Sequence, residues 1–237
     1  MQRYFSDRRV LDSFILGDDD IYHITKVMRM KDDDLIEVVY NKKVYECCLK
    51  SVKSDIKIII KKELENTYDM KPSVALIIPI LKEQKVDLIL QKATEMGVSK
   101  IYLCPMKHCM VKIQGNKKEN KINRWVRIVK EASEQSKRID VPEIIVLEDI
   151  KSLEKFIGLN LICSVKEKQK NIKKVLTNNR NCDRINLVIG PEGGLSKIEE
   201  DYLVKIGFIP ITLGSNVMRV ETVPLFLMSI INYEYME

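Results

Sequence analysis

Classical catalytic groups are scarce in this sequence. Histidine occurs twice, as His23 and His108, so a nucleophile–histidine triad or a histidine metal cage has little to build on. No Gly-x-Ser-x-Gly elbow is present. Glycine numbers only 9 in 237 residues. None of it spells a Gly-x-Gly-x-x-Gly dinucleotide fingerprint, and no Gly-Lys-Ser/Thr phosphate loop occurs. The 6 cysteines (Cys47, Cys48, Cys104, Cys109, Cys163 and Cys182) contain no C-x-x-C pair. Cys104, His108 and Cys109 lie close together but lack a second ligand pair, so reduced thiols and no metal are expected. The longest apolar runs, residues 74–81 and 223–231, fall far short of the roughly 18 residues of a membrane span. They suit a buried strand and a buried helix. Charge begins at Arg3, with no apolar leader behind it, so the expectation is a cytoplasmic protein.

What the sequence does have is a moderate charge, unevenly spread. Lys and Arg number 40 against 34 Asp and Glu. Residues 1–70 hold 13 basic and 14 acidic residues, residues 82–138 hold 14 and 6, and residues 139–237 hold 12 and 14. The basic excess therefore sits in one central segment, as a polyanion-binding face or a solvated Lys-rich helical surface would place it. The 45% hydrophobic content excludes a disordered chain and allows a substantial core.

Two domains are predicted, 1–70 and 71–237. In the first, residues 35–40 and 44–49 read as a hairpin around Asn41-Lys42-Lys43, and residues 56–60 as a third strand. Residues 21–30 read as one short helix entered from Asp18-Asp19-Asp20. A small barrel closes such strands naturally. Beyond the polar stretch 66–72 the pattern becomes α/β. Strands are predicted at 73–80, 101–104, 159–165, 185–189 and 209–213. Helices are predicted at 83–96, 120–136, 195–206 and 220–233, with residues 171–183 as loop. Alternation of this kind implies a largely parallel sheet with helices on both faces.

Three segments can carry chemistry. Residues 188–196, Val-Ile-Gly-Pro-Glu-Gly-Gly-Leu-Ser, run from a buried strand through a glycine turn into a helix. Three of the 9 glycines fall here within five positions. Glycine lets backbone approach a ligand, and open α/β sheets bind ligands beyond the carboxyl ends of their strands. Ser196 and Glu199 form a capping-box pattern. Residues 212–222 also follow a strand and open a helix, with Gly214, Arg219 and Glu221 at the turn. Residues 131–138 end a helix with Gln135 and Arg138 as donors for phosphates or bases.

These segments, in this order, resemble the RsmE ribosomal RNA methyltransferases of the SPOUT, or trefoil-knotted, superfamily. The likeness includes Arg3-Tyr4-Phe5, residues 23–29 (His-Ile-Thr-Lys-Val-Met-Arg) and residues 91–98 (Gln-Lys-Ala-Thr-Glu-Met-Gly-Val). It continues through Glu134-Gln135-Ser136-Lys137-Arg138, the Gly190-Pro191-Glu192-Gly193-Gly194-Leu195 turn and Met218-Arg219-Val220-Glu221-Thr222. Met28, Met96 and Met218 stand where Leu is usual, which conserves volume. The resemblance implies a PUA-like β-barrel, RNA-binding, before a SPOUT knotted α/β methyltransferase domain. It implies a homodimer that transfers a methyl group from S-adenosylmethionine to N3 of a uridine in 16S rRNA of the small ribosomal subunit. Cofactor binding then falls to Gly190, Pro191, Glu192, Gly193, Leu213, Gly214, Met218, Arg219 and Thr222, with residues 163–167 as a third wall. Arg219 is the expected stabiliser of the uracil anion. Glu221 is expected to accept the proton or to orient Arg219. RNA contact is expected from Arg3, Arg8, Arg9, Arg29, Lys82, Lys85, Lys92, Gln135 and Arg138. A non-catalytic RNA-binding factor, or a knotted methyltransferase acting on tRNA or a ribose hydroxyl, are the alternatives.

Overall fold

The computed structural model describes residues 1–52, 55–65, 71–111 and 117–235. The chain forms two compact units, one of Met1–Asp69 with Ser133–Asp140, the other of Met70–Ala132 with Val141–Glu237. The split falls at Asp69/Met70, and Ser133–Asp140, inside the second predicted domain by sequence, groups with the first unit by contacts.

The first unit is built on β1 (Arg3–Phe5), β2 (Arg8–Val10), β3 (Ser13–Ile15), β4 (Leu35–Tyr40), β5 (Lys43–Val52) and β6 (Asp55–Leu64). They pair in the order β1-β4-β5-β6-β3-β2. The two edge strands are consecutive in the chain. Six flat strands would separate their edges by about 24 Å, whereas Phe5 and Arg8 can lie at most about 11 Å apart. The sheet must therefore curl. Ser6 joins its two ends, donating its N–H to Val39 O at 3.0 Å and its hydroxyl to Ile15 O at 2.7 Å. Tyr4, Phe14, Ile36, Val38, Tyr45, Leu49 and Ile58 fill the interior. The helix expected over 21–30 is instead α1 (Asp18–Tyr22) running into a π-helical turn, His23–Val27.

The second unit holds β7 (Ser73–Pro79), α2 (Glu83–Glu95), β8 (Lys100–Cys104), α3 (Lys117–Gln135) as far as Ala132, β9 (Glu143–Val146), β10 (Leu159–Cys163), α4 (Ile172–Thr177), β11 (Arg184–Ile189), α5 (Lys197–Lys205), β12 (Ile209–Ile211) and α6 (Thr222–Tyr235). Its strands are parallel in the order β12-β10-β11-β7-β8-β9. Strand side chains alternate between two cores, as the period of two requires. Leu76, Ile78, Leu161, Leu187 and Ile189 meet Ile89, Trp125 and Leu227 on one face. Ile77, Ile162 and Val188 meet Leu203 and Phe208 on the other. The two faces explain why β7 and β11 read as unbroken apolar runs.

Candidate functional site

Three neighbouring strands end at one level. Cys163, the last residue of β10, pairs with Ile189 of β11 on one side and Ile211 of β12 on the other. The loops that follow therefore emerge together at the carboxyl edge of the sheet. Residues 164–171, 190–196 and 212–221 are brought side by side although 18 residues separate the first from the second and 15 the second from the third. Two of them are stitched: Ser164 N–H donates to Ile211 O at 3.0 Å, Thr212 N–H to Lys170 O at 2.9 Å and Ile172 N–H to Thr212 O at 3.2 Å. Glu167 Oε1 accepts the amides of Lys168, Gln169 and Lys170 and closes the first loop on itself.

The glycine turn folds tightly. A Cβ at Gly190 would stand 3.1 Å from Leu195 N and 3.3 Å from Gly194 C, so no larger residue fits without shifting backbone. Gly194 N–H donates to Pro191 O at 2.8 Å. Gly214 adopts φ 125°, a region side chains avoid. Leu213 and Met218 are half-buried and Gly214 is exposed, which leaves backbone polar groups beside an apolar wall. That combination fits a ligand with both polar and apolar parts held by main-chain hydrogen bonds and apolar contact, as S-adenosylmethionine would be.

Charged groups surround this edge. Lys85, in the first turn of α2, places Nζ 2.9 Å from Glu192 Oε1 and 3.0 Å from Glu221 Oε2. Burial pushes both carboxyls up, but hydrogen bonds with backbone and with Lys85 outweigh it and hold them below the ordinary range. The same contacts, Glu192 first, raise Lys85 above its usual value. Arg219 is exposed and its charge also lowers Glu221. A carboxylate held low and bound to an ammonium is a poor proton acceptor, so Glu221 suits orientation better than proton transfer.

Beside the turn lies an open hollow of about 490 Å³ lined by Lys107, His108, Cys109, Met110, Glu192 and Gly193. His108 donates from Nδ1 to Gly194 O at 2.9 Å, which fixes its tautomer. Burial raises the Cys104 and Cys109 thiols. Among the described residues no three His, Cys, Asp or Glu side chains are grouped to hold a metal.

The structure thus brings together Gly190, Pro191, Glu192, Gly193, Leu213, Gly214, Met218, Arg219, Glu221 and Thr222, with residues 163–167 on the third side. Two of the residues expected to contact RNA, Arg3 and Arg138, are engaged within the chain. Arg138 is 4% exposed and its guanidinium binds Asp140 at 2.8 Å. Arg3 binds Glu37 at 2.8 Å and donates to the carbonyls of Lys137 and Arg138. Both guanidiniums serve the first unit's own packing. Lys92 is paired with Glu95 at 2.9 Å. Arg8, Arg9, Arg29, Lys82 and Gln135 are exposed. The bridging of Lys85 and the seat of His108 on the glycine turn leave no local signal in the sequence. Both depend on contacts more than 80 residues apart in the chain.

Comparison with known proteins agrees with this geometry. Residues 69–232 match the family described as RNA methyltransferase domain, and residues 16–63 that described as RNA methyltransferase PUA domain. The ribosomal RNA small subunit methyltransferase E of Mesomycoplasma hyopneumoniae is 32% identical over 97% of this chain and 98% of its own length. The protein of the same name from Bacillus subtilis is 27% identical over 99% and 97%. The crystal structure of ribosomal RNA small subunit methyltransferase E from Neisseria gonorrhoeae bound to S-adenosyl methionine superposes with TM-score 0.85 at 25% identity, covering 98% of this chain and 97% of that one. With glycine loops at level strand ends, a curled N-terminal sheet and likeness over nearly its whole length, the chain belongs to the ribosomal RNA small subunit methyltransferase E family.

Proposed function

We propose that the chain is an S-adenosylmethionine-dependent methyltransferase acting on N3 of a uridine in 16S rRNA. The observation that carries this is the meeting of three loops at one sheet edge, the glycine turn against an apolar wall with Arg219 exposed beside it. Bound S-adenosylmethionine supplies a methyl group already activated on a sulfonium, so the protein's task is positioning and charge stabilisation. Backbone groups of 190–194 and 213–214, with Leu213 and Met218, hold the cofactor. Uracil N3 becomes nucleophilic when its proton passes to solvent, and the negative charge spreads to O2 and O4 until the methyl group is transferred to N3. Arg219 stabilises that charge in the manner of an oxyanion hole. Glu221 orients Arg219.

The finer parts of the proposal are the trefoil knot, a homodimer and residence in the cytoplasm. Residues 164–172 and 211–212 are packed together by three backbone hydrogen bonds, a packing that the loops of a knot require. No helix among the described residues is long and apolar enough to cross a membrane. Exposed Arg8, Arg9, Arg29, Lys82 and Gln135 are the proposed RNA contacts. Two measurements test the reading: calorimetry with S-adenosylmethionine, and methylation of small subunits from a strain lacking this activity, with mass mapping of the product. Tight cofactor binding and one added methyl on a uridine base are expected. Absence of cofactor binding returns the chain to a non-catalytic RNA-binding role, and a methyl on ribose overturns the N3 assignment.

A further inference from the structure

We propose that Lys85 is a positioning residue that straps the glycine turn 190–194 to the segment 219–222, holding both in the arrangement that takes the cofactor. The proposal rests on the reading of these segments as cofactor loops. Its first support is geometric. One ammonium reaches carboxylates on two loops that lie far apart in sequence, Glu192 at 2.9 Å and Glu221 at 3.0 Å. The residue comes from a third element, the first turn of α2, whose preceding strand β7 lies next to β11 in the sheet. A rigid helix start is a firm anchor for two loops with little regular structure of their own.

The second support is electrostatic. Glu192 and Glu221 both approach one nitrogen, so without it two like charges face each other across the gap between the loops. Like charges at such range repel, and relief comes by separation. An ammonium has three donors and no acceptor, so it can serve both carboxylates at once. Side-chain exposure is 30% for Lys85, 16% for Glu221 and 47% for Glu192. The Glu221 contact is the sheltered anchor, and the Glu192 contact is the clasp nearer solvent. Pairs this exposed add little to global stability. Their effect is local, on how often the two loops stand apart. The family resemblance implies that Lys85 is an RNA contact. Its ammonium is instead engaged by two carboxylates, which leaves it poorly placed to grip RNA.

The test uses the full chain with Lys85→Met and Lys85→Arg. Hydrogen exchange of peptides covering 190–195 and 213–221, measured without ligand, reads the strap directly. In Lys85→Met both segments should exchange roughly 10-fold faster together while the sheet core is unchanged. The Kd and KM for S-adenosylmethionine should rise about 10-fold, with kcat at saturating cofactor within about 2-fold. Lys85→Arg should restore all of these. Unchanged exchange, or loosening of one segment alone, overturns the strap. So does an effect confined to the salt dependence of RNA binding, which would return Lys85 to the phosphate contacts. If the wild-type chain does not bind S-adenosylmethionine, the functional reading falls, while exchange in the two segments still decides the role of Lys85.

Discussion

At the scale of single residues, Arg219 and Glu221 make separable predictions. Arg219→Ala removes a charge aimed at a developing anion and should lower kcat by about 100-fold or more, with cofactor Kd moving far less. Single-turnover methylation beside calorimetry checks this, and a full rate in the variant would remove Arg219 from the chemistry. The pH dependence follows from the charged trio. Glu192 and Glu221 are held below their ordinary value of 4.5, so their contribution is complete above it and is lost as pH falls through the lowered values. Lys85 is raised above 10.5, so its contribution is complete below that and is lost as pH climbs past the raised value. Loop exchange corrected for intrinsic rate should therefore be level between these limits, and a step near neutrality would contradict the pairing. The loops themselves were legible because Gly190, Gly193, Gly194 and Gly214 cluster beside strand ends in a glycine-poor chain. Lys85 was not, because a lysine among basic neighbours announces charge but not the carboxylates that fold back onto it.

Helices and strands carry their own prediction. α5 begins with a capping box in which Ser196 N–H donates to Glu199 Oε2 at 2.8 Å and Glu199 N–H to Ser196 Oγ at 3.4 Å. Glu199 is 7% exposed, and its Oε1 also accepts the Lys107 amide at 2.7 Å. Ser196→Ala should cost about 1 kcal/mol. Glu199→Ala strips two backbone donors of their acceptor and should cost more, about 2–4 kcal/mol. Urea denaturation compares the two, and equal costs would show that the Lys107 contact contributes nothing. This cap was readable from sequence, as were β4 at residues 35–40 and α2, because period and punctuation agree there. The three-residue strands β1, β2 and β3 were not, being too short to show alternation. Nor was α4, a six-residue helix in a polar stretch read as loop, although Asn171 caps it by accepting from Lys174 N–H at 2.9 Å. Such segments take their structure from neighbours they pair with, which a local pattern does not record.

For the whole molecule the question is what the uneven charge does. The basic excess of residues 82–138 is partly spent within the fold. Lys85 is engaged by Glu192 and Glu221, Lys100 by Glu143 at 2.7 Å, and Lys137 by Glu37 at 3.0 Å, all acids outside that segment. Counting charges therefore overstates what is left for a polyanion, and exposure sorts the remainder. Arg8 and Arg9 lie on β2, an edge strand whose three residues are all exposed. Arg138 is buried on Asp140. If the first pair meets phosphates, Arg8→Ala and Arg9→Ala should each lower the slope of log affinity against log salt by about 0.7–0.9, leaving thermal stability within about a degree. Arg138→Ala should leave that slope alone. It should instead destabilise the fold by about 1–3 kcal/mol, because Asp140 loses its charge partner and buried volume is emptied. At roughly 2–4 °C per kcal/mol for a chain of this size, that is a clear fall in Tm. Filter binding of rRNA across a salt series, run beside thermal melts of the same variants, separates the two classes. The assignment fails if Arg138→Ala flattens the slope while Arg8→Ala and Arg9→Ala do not, for then the buried guanidinium must open to meet RNA and the exposed edge is a bystander.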